Sequence, residues 1–326
     1  MWEGVWTDCI KLNSAKGIYI FLYISYIFSM IRNKSLIVIL LAGLSLFPCK
    51  SSSSNISSKR EDWKSNYTFV FVHGLSGWGH YDFRNKFFPY WGLKNGSLMK
   101  QLRKEGFSAY DASVAPQGSA WDRACELYAQ LTAEGAAEEI AVTEADDLSP
   151  LFAGGKGDWI YSVTAIAAPH NGTSAYHVPD ENPEPKSWGQ KMMDKINAPD
   201  KDSRADYDYA DFDMHVQNAD EINKWLTTLD SAFYFSYPCA ATKEAEDGSQ
   251  EPVTEIMEKL FQRSSKRMGS FEGTCPDGAV FTKEWQKNDG LVNTISARAP
   301  SHSKACDFYD GVEIKKGIWY VMPEYT

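Results

Sequence analysis

Lysine and arginine are outnumbered 33 to 43 by aspartate and glutamate, and nowhere do they gather into a stripe. A chain of formal net charge −10 without a basic face has nothing to track a phosphate backbone, so nucleic acid is not an expected partner. Internal repeats are absent, which removes solenoid and array architectures. The apolar run Ser35–Phe47 (SLIVILLAGLSLF) is too short to span a bilayer comfortably. What remains suits a folded domain. The chain has 326 residues, 43% hydrophobic and 14% aromatic, enough for one sizeable α/β domain or a domain with an insertion.

The first part of the chain reads as export machinery rather than fold. Met30-Ile-Arg-Asn-Lys34 is a short basic segment, Ser35–Phe47 the apolar core, and Pro48-Cys49-Lys50 the region where cleavage would fall. Met30 is taken as the start and residues 1–29 as an upstream extension. A rival reading makes Gly17–Ser29 and Ser35–Phe47 membrane-embedded helices, with Arg32 and Lys34 interrupting any continuous span. Cys49 stands where a lipoprotein carries its acylated cysteine, so membrane anchoring and free secretion are both open. The expected division is residues 1–49 as extension and export segment, 50–66 as a Ser-rich polar linker, and 67–326 as the domain. Outside the cytoplasm Cys125, Cys239, Cys275 and Cys306 could pair, although a free, buried Cys125 on a helix is an equal expectation.

Within the domain, strand and helix signals alternate. Apolar or β-branched runs predict strands at Thr68–His73, Phe107–Val114, Trp159–Ala168, Phe233–Tyr237 and Gly317–Met322. Helical spacing predicts helices at Ser97–Glu105, Trp121–Ala133 and Ala219–Leu229. Tyr176–Asp211 is polar, Pro-rich and acidic and reads as an insertion with one short helix, and Lys243–Pro252 as a charged loop. The alternation implies a mainly parallel sheet with helices on both faces.

The first strand ends abruptly in Val72-His73-Gly74-Leu75-Ser76-Gly77-Trp78-Gly79. In α/β hydrolases such an ending aims a backbone N–H at a developing oxyanion. That chemistry needs a nucleophile, held by small neighbours on a strained turn as G-x-S-x-G. No such motif exists in the chain. Gly74-Leu75-Ser76-Gly77-Trp78 and Gly172-Thr173-Ser174-Ala175-Tyr176 both have the wrong spacing.

Together with Ala115–Leu131 (APQGSAWDRACELYAQL), Leu148–Gly155 (LSPLFAGG), Ser162–Ala175 (SVTAIAAPHNGTSA) and Asn288–Ser296 (NDGLVNTIS), the Val72–Gly79 stretch resembles the secreted bacterial lipases of the zinc-containing, thermoalkalophilic and staphylococcal type. The resemblance implies an α/β-hydrolase fold, a Ser-His-Asp triad acting on carboxylic esters of the triacylglycerol type, and bound zinc and calcium. It also implies a loss. The family's nucleophile elbow lies between the segments that here end at Leu131 and begin at Leu148, joined only by TAEGAAEEIAVTEADD. The central strand and its serine are therefore expected to be deleted. The family's catalytic His lies just beyond Met-Pro-x-Tyr, and this chain stops at Thr326.

Residue by residue, the resemblance makes Asp289 the triad acid and the N–H of Leu75 an oxyanion donor. By itself Asn288-Asp289-Gly290 reads as turn chemistry. Asp122 and Asp213 match two zinc ligands whose His partners fall in the missing segment. Two carboxylates alone make a poor zinc site, and His80, His177 or His215 would substitute only by coincidence. His170 is read as structural and His302 as solvent-exposed. Trp78, Tyr90, Trp91 and Trp188 could face an acyl chain or simply fill the core. The leading expectation is an exported lipase-family protein inactive in this form. The alternatives are an active lipase or carboxylesterase of which this sequence is a truncated or mis-assembled version, a non-catalytic lipid- or partner-binding pseudoenzyme, an unstable pseudogene product, and a weak esterase using Ser76 or Ser174.

Overall fold

The computed structural model describes residues 18–23, 67–92, 96–132, 157, 159–180 and 210–325. In chain order the strands are β1 (Ile18–Tyr23), β2 (Thr68–Val72), β3 (Ser108–Ala112), β4 (Ile160–Ile166), β5 (Phe233–Tyr237), β6 (Thr242–Glu244), β7 (Gln250–Pro252), β8 (Gly273–Thr274), β9 (Val280–Phe281), β10 (Ala305–Asp307) and β11 (Trp319–Val321). The α-helices are α1 (Leu98–Lys104), α2 (Ala120–Thr132), α3 (Ala210–Met214), α4 (Val216–Trp225) and α5 (Lys259–Ser270).

Seven strands form one sheet in the order β10-β11-β5-β4-β1-β2-β3, every pair parallel. The side-chain period of two sorts each strand onto both faces. On β2, Val70 and Val72 pack with Ala112 and Val114 beneath Leu127 and Leu131 of α2. Phe69 and Phe71 point the other way, to Tyr90, Trp91 and Met99 of the α1 side. Helices thus cover both faces, which is why β2 and β4 read as continuous apolar runs. Each buried Phe or Val contributes about 1.5–3 kcal/mol.

Local signals set the helix ends. The Ser97 hydroxyl accepts from the N–H of Lys100 and caps α1. Gly106 follows that helix at φ 92°, a conformation that suits glycine.

The centre of the sheet departs from expectation. The slot between β2 and β4 is filled by Ile18–Tyr23, from the segment assigned by sequence to an extension outside the fold. β1 pairs along the whole of β2, from Ile18↔Thr68 to Leu22↔Val72, and reaches Ile166 on β4. The slot where the sequence leads one to expect a missing central strand is therefore occupied. Two smaller corrections follow. Thr242–Glu244 and Gln250–Pro252, within or beside the stretch read as a loop, pair as an antiparallel hairpin. Cys125, Cys239, Cys275 and Cys306 are free thiols rather than disulfides. The expected helix at 188–196 and the Ser-rich linker lie outside the described residues. Among the described residues no helix is long and apolar enough to cross a membrane.

Candidate active site

The loop after β2 is built by close approach. A Cβ on Gly77 would meet His73 Nδ1 at 2.6 Å, and one on Gly79 would meet the Ala112 carbonyl oxygen at 2.1 Å. Only glycine lets the loop fold back onto the end of β3. Arg123 of α2 donates to the His73 carbonyl, and Glu126 accepts from the N–H of Ala115 at 2.5 Å. Gln130 accepts from the N–H of Ser113 at 3.0 Å and donates to its carbonyl at 2.5 Å. Helix α2 thereby clamps the loops after both strands. His73 is buried, and burial followed by the Arg123 charge pushes its pKa down to about 4, so the ring is neutral. In this frame the Leu75 N–H donates to none of the described residues.

The Asp289 loop sits at the same edge of the sheet, beyond β5. The N–H of Ala241 donates to the Asn288 carbonyl at 2.9 Å. Asn288 is wholly buried, donates to the carbonyls of Ser265 and Gln286, and accepts from the N–H of Gly290 at 2.8 Å. Asp289 Oδ1 accepts from the N–H groups of Leu291 and Val292 at 2.9 and 2.8 Å. This is the turn chemistry the sequence signals, and it fixes the carboxylate. The C-terminal strand runs alongside: Tyr325 donates its N–H to the Pro238 carbonyl at 3.0 Å and accepts from Ala240 at 2.9 Å. Cys239 lies between them. Its thiol is pushed up to about 12 by burial and then by the carboxylates of Asp289 and Glu324, so it is no nucleophile.

Neither rival serine is activated. Ser76 holds φ 57°, a strained value for a residue with a side chain. Its hydroxyl accepts from Gln117 Nε2 at 2.6 Å. The Ser174 hydroxyl accepts from Asn293 Nδ2 at 2.8 Å and is buried. A nucleophilic serine needs a base at hydrogen-bond distance, and both face amides instead.

The two aspartates proposed for zinc do converge, on the start of α2. Asp213 Oδ2 accepts from the N–H of Ala120 at 2.5 Å, and Asp122 Oδ2 accepts from the Ser119 hydroxyl at 2.7 Å. Burial raises the Asp213 pKa, and the neighbouring Asp122 charge adds to the rise. Helix N-termini favour carboxylates without any metal. With no His joining them among the described residues, the pair does not fit tetrahedral zinc. The group that does have ligand-like spacing is His177, His215 and Asp277. Its chemistry contradicts its geometry. His177 Nδ1 is 2.5 Å from Asp277 Oδ2, while its Nε2 accepts from the N–H of Val216 at 3.0 Å. The ring's single proton therefore lies on Nδ1, and neither nitrogen is free for a metal. His80 is 3.6 Å from Asp111 instead. His170 is half-buried with its ring edge-on to Trp319, ring centres 4.7 Å apart. His302 is part-exposed, with Nε2 2.8 Å from Asp220.

Of the tryptophan and tyrosine candidates, Trp78, Tyr90 and Trp91 serve packing, and Trp188 lies outside the described residues. Tyr90 and Trp91 are buried in the core, and Trp78 lies edge-on to Tyr90 at 5.3 Å. Among the exposed aromatics, Phe83, Phe87 and Phe88 stand close in sequence, and sequence reasoning missed them because nothing in their spacing marks an outward face. The Arg123 clamp was missed too, since a lone Arg on a helix gives no sign of burial.

A parallel sheet with an oxyanion-type loop after one strand and an acid turn after a later one defines an α/β-hydrolase-like protein. The comparisons name the family. The model of the "Lipase-like, C-terminal domain" family matches residues 65–134 and 129–326, and the chain belongs to that family. The lipase of Staphylococcus hyicus is 26% identical, with 81% of this chain and 53% of the relative aligned. Lipase 1 of Staphylococcus aureus is 22% identical, with 84% of this chain and 51% of the relative aligned. The chain thus spans about half the length of these curated relatives. Among solved structures, EstA from Clostridium botulinum superposes with a TM-score of 0.62 at 25% identity, covering 79% of this chain and 81% of that one. Staphylococcus hyicus lipase gives 0.56 at 23% identity, covering 79% and 86%, a likeness of fold.

Proposed function

We propose that this chain is a lipase-family scaffold that does not hydrolyse esters in the form described. The observation that carries the proposal is the centre of the sheet. The strand that would lead to G-x-S-x-G is replaced there by Ile18–Tyr23, and the motif occurs nowhere in the sequence. The alignments support it. The match to the Staphylococcus hyicus lipase extends over 349 residues, more than the 326 of this chain, so the relative carries residues without a counterpart here. The family match breaks into two pieces at 129–134, beside the expected loss.

Asp289 and Leu75 are the remnants of the machinery. Asp289 is held by two backbone N–H groups and would orient an imidazole. The Leu75 N–H would be half of an oxyanion hole. Neither turns over an ester without a nucleophile. Zinc has no part in this reading, because the Asp122–Asp213 pair serves a helix start.

The test is hydrolysis of p-nitrophenyl butyrate and labelling with a fluorophosphonate serine probe. Release at the rate of a heat-denatured control, with no label, is expected. Turnover would overturn the reading, and Ser76→Ala and Ser174→Ala would then locate its source.

A second reading, lipid binding without hydrolysis, rests on one surface. Phe83, Phe87 and Phe88 are 65–70% exposed, and acyl chains or a lipid surface suit such a face. Replacing all three with Ser should weaken binding to phosphatidylcholine vesicles at least about tenfold if that face is used. The pattern at residues 30–49 supports delivery outside the cytoplasm, either free or held through acylated Cys49. Cleavage on that route would fall between β1 and β2.

A further inference from the structure

We propose that Ile18–Tyr23 is the strand on which folding of this chain depends, and that a cut between it and Thr68 that carries it away removes the centre of the sheet. The slot it fills is a binding site for one occupant: a six-residue, wholly apolar, extended segment running parallel to both neighbours.

The geometry carries this. β1 is the sole link between two blocks of sheet, β10-β11-β5-β4 on one side and β2-β3 on the other. Without it, the facing edges of β2 and β4 would each lose their row of hydrogen bonds in the interior, where an unpaired backbone group is costly. The match is close in length, since all five residues of β2 find partners on it. Composition agrees: IYIFLY has no charge, glycine or proline, as suits a strand paired on both edges in the middle of a parallel sheet. The core is built around a filled slot. Tyr67, beside β2, and Tyr161, on β4, bring their rings to 5.2 Å, and one cluster joins Phe69 and Phe71 to Tyr161 and Phe233. Those residues close one face across two strands that do not pair with each other.

The consequence concerns the export-type pattern. Basic segment, apolar core and Cys49 all lie in the connection between β1 and β2. Processing after Pro48 would leave a chain with the slot vacant. The folded form is therefore one that keeps β1 in the slot, and processing that carries β1 away leaves the remainder unfolded. Hydrolytic competence is a separate matter, read by a separate assay.

The full chain is the test material. Hydrogen exchange followed by mass spectrometry should show amides of residues 19–23 exchanging roughly a thousandfold slower than a free peptide, as slowly as those of 161–166. A protease site placed within residues 50–66 gives the second measurement. After cutting, denaturation and removal of the N-terminal piece that carries β1, the 67–326 fragment should regain a cooperative melt only when a peptide of residues 17–24 is added. Unprotected amides at 19–23 beside a protected β4 would overturn the proposal. So would a fragment that refolds alone, or a native dimer whose β1 comes from the second copy.

Discussion

At the residue scale, two imidazoles, one buried and one half-buried, contribute to the response to pH. His73 and His170 both have values pushed down to about 4 from 6.5, chiefly by burial. The folded state thus holds these protons less tightly than the unfolded chain. Stability is complete above pH 6.5, falls as pH drops through the window from 6.5 to 4, and is lost below it. Each ring accounts for about 3 kcal/mol over that window. Chemical denaturation at pH 7 and pH 5 should show a marked loss, and His170→Phe should remove about half of it while keeping a ring against Trp319. An unchanged slope in that variant would assign the effect elsewhere. Asp289 is read through its turn. Asp289→Ala should cost about 1–3 kcal/mol, and Asp289→Asn, which keeps an acceptor for Leu291 and Val292, well under half of that.

At the element scale, legibility in the sequence followed burial and capping. β2, β5, α1 and α2 were readable because their apolar residues recur at the right period and because Ser97 and Gly106 mark ends. The β6–β7 hairpin was not, since Lys243, Glu244 and Glu251 show no apolar alternation and the pairing rests on its contact with α5. There a Cβ on Gly269 would meet the Gln250 carbonyl oxygen at 2.1 Å. β1 was hidden for a different reason. A short apolar run next to an export-type pattern looks the same whether it enters a membrane or a sheet, and only the vacancy between β2 and β4 decides. Of the candidate site, the Asp289 turn and the His73–Leu75 loop were legible as motifs, whereas the serines' amide partners depend on contacts 41 and 119 residues apart. Gly172 offers a test of how the β4 loop meets the α3–α4 junction. It sits at φ 75°, and a Cβ there would meet the Met214 carbonyl oxygen at 2.6 Å. Gly172→Ala should destabilise by more than about 2 kcal/mol in urea melts.

At the scale of the whole molecule, a seven-stranded parallel sheet of the family's kind is present, and the loop after β2 and the Asp289 turn are both held by hydrogen bonds at its edge. On the proposed reading these two loops are what is left around a missing nucleophile. Everything turns on whether the segment joining Leu131 to Leu148 is continuous in the protein. Tryptic digestion of the native protein, read by mass spectrometry, answers this directly. The account predicts the peptide Ala124–Lys156, uninterrupted. A peptide carrying G-x-S-x-G between those two segments would contradict it and restore an active lipase, with Asp289 as the acid of its triad.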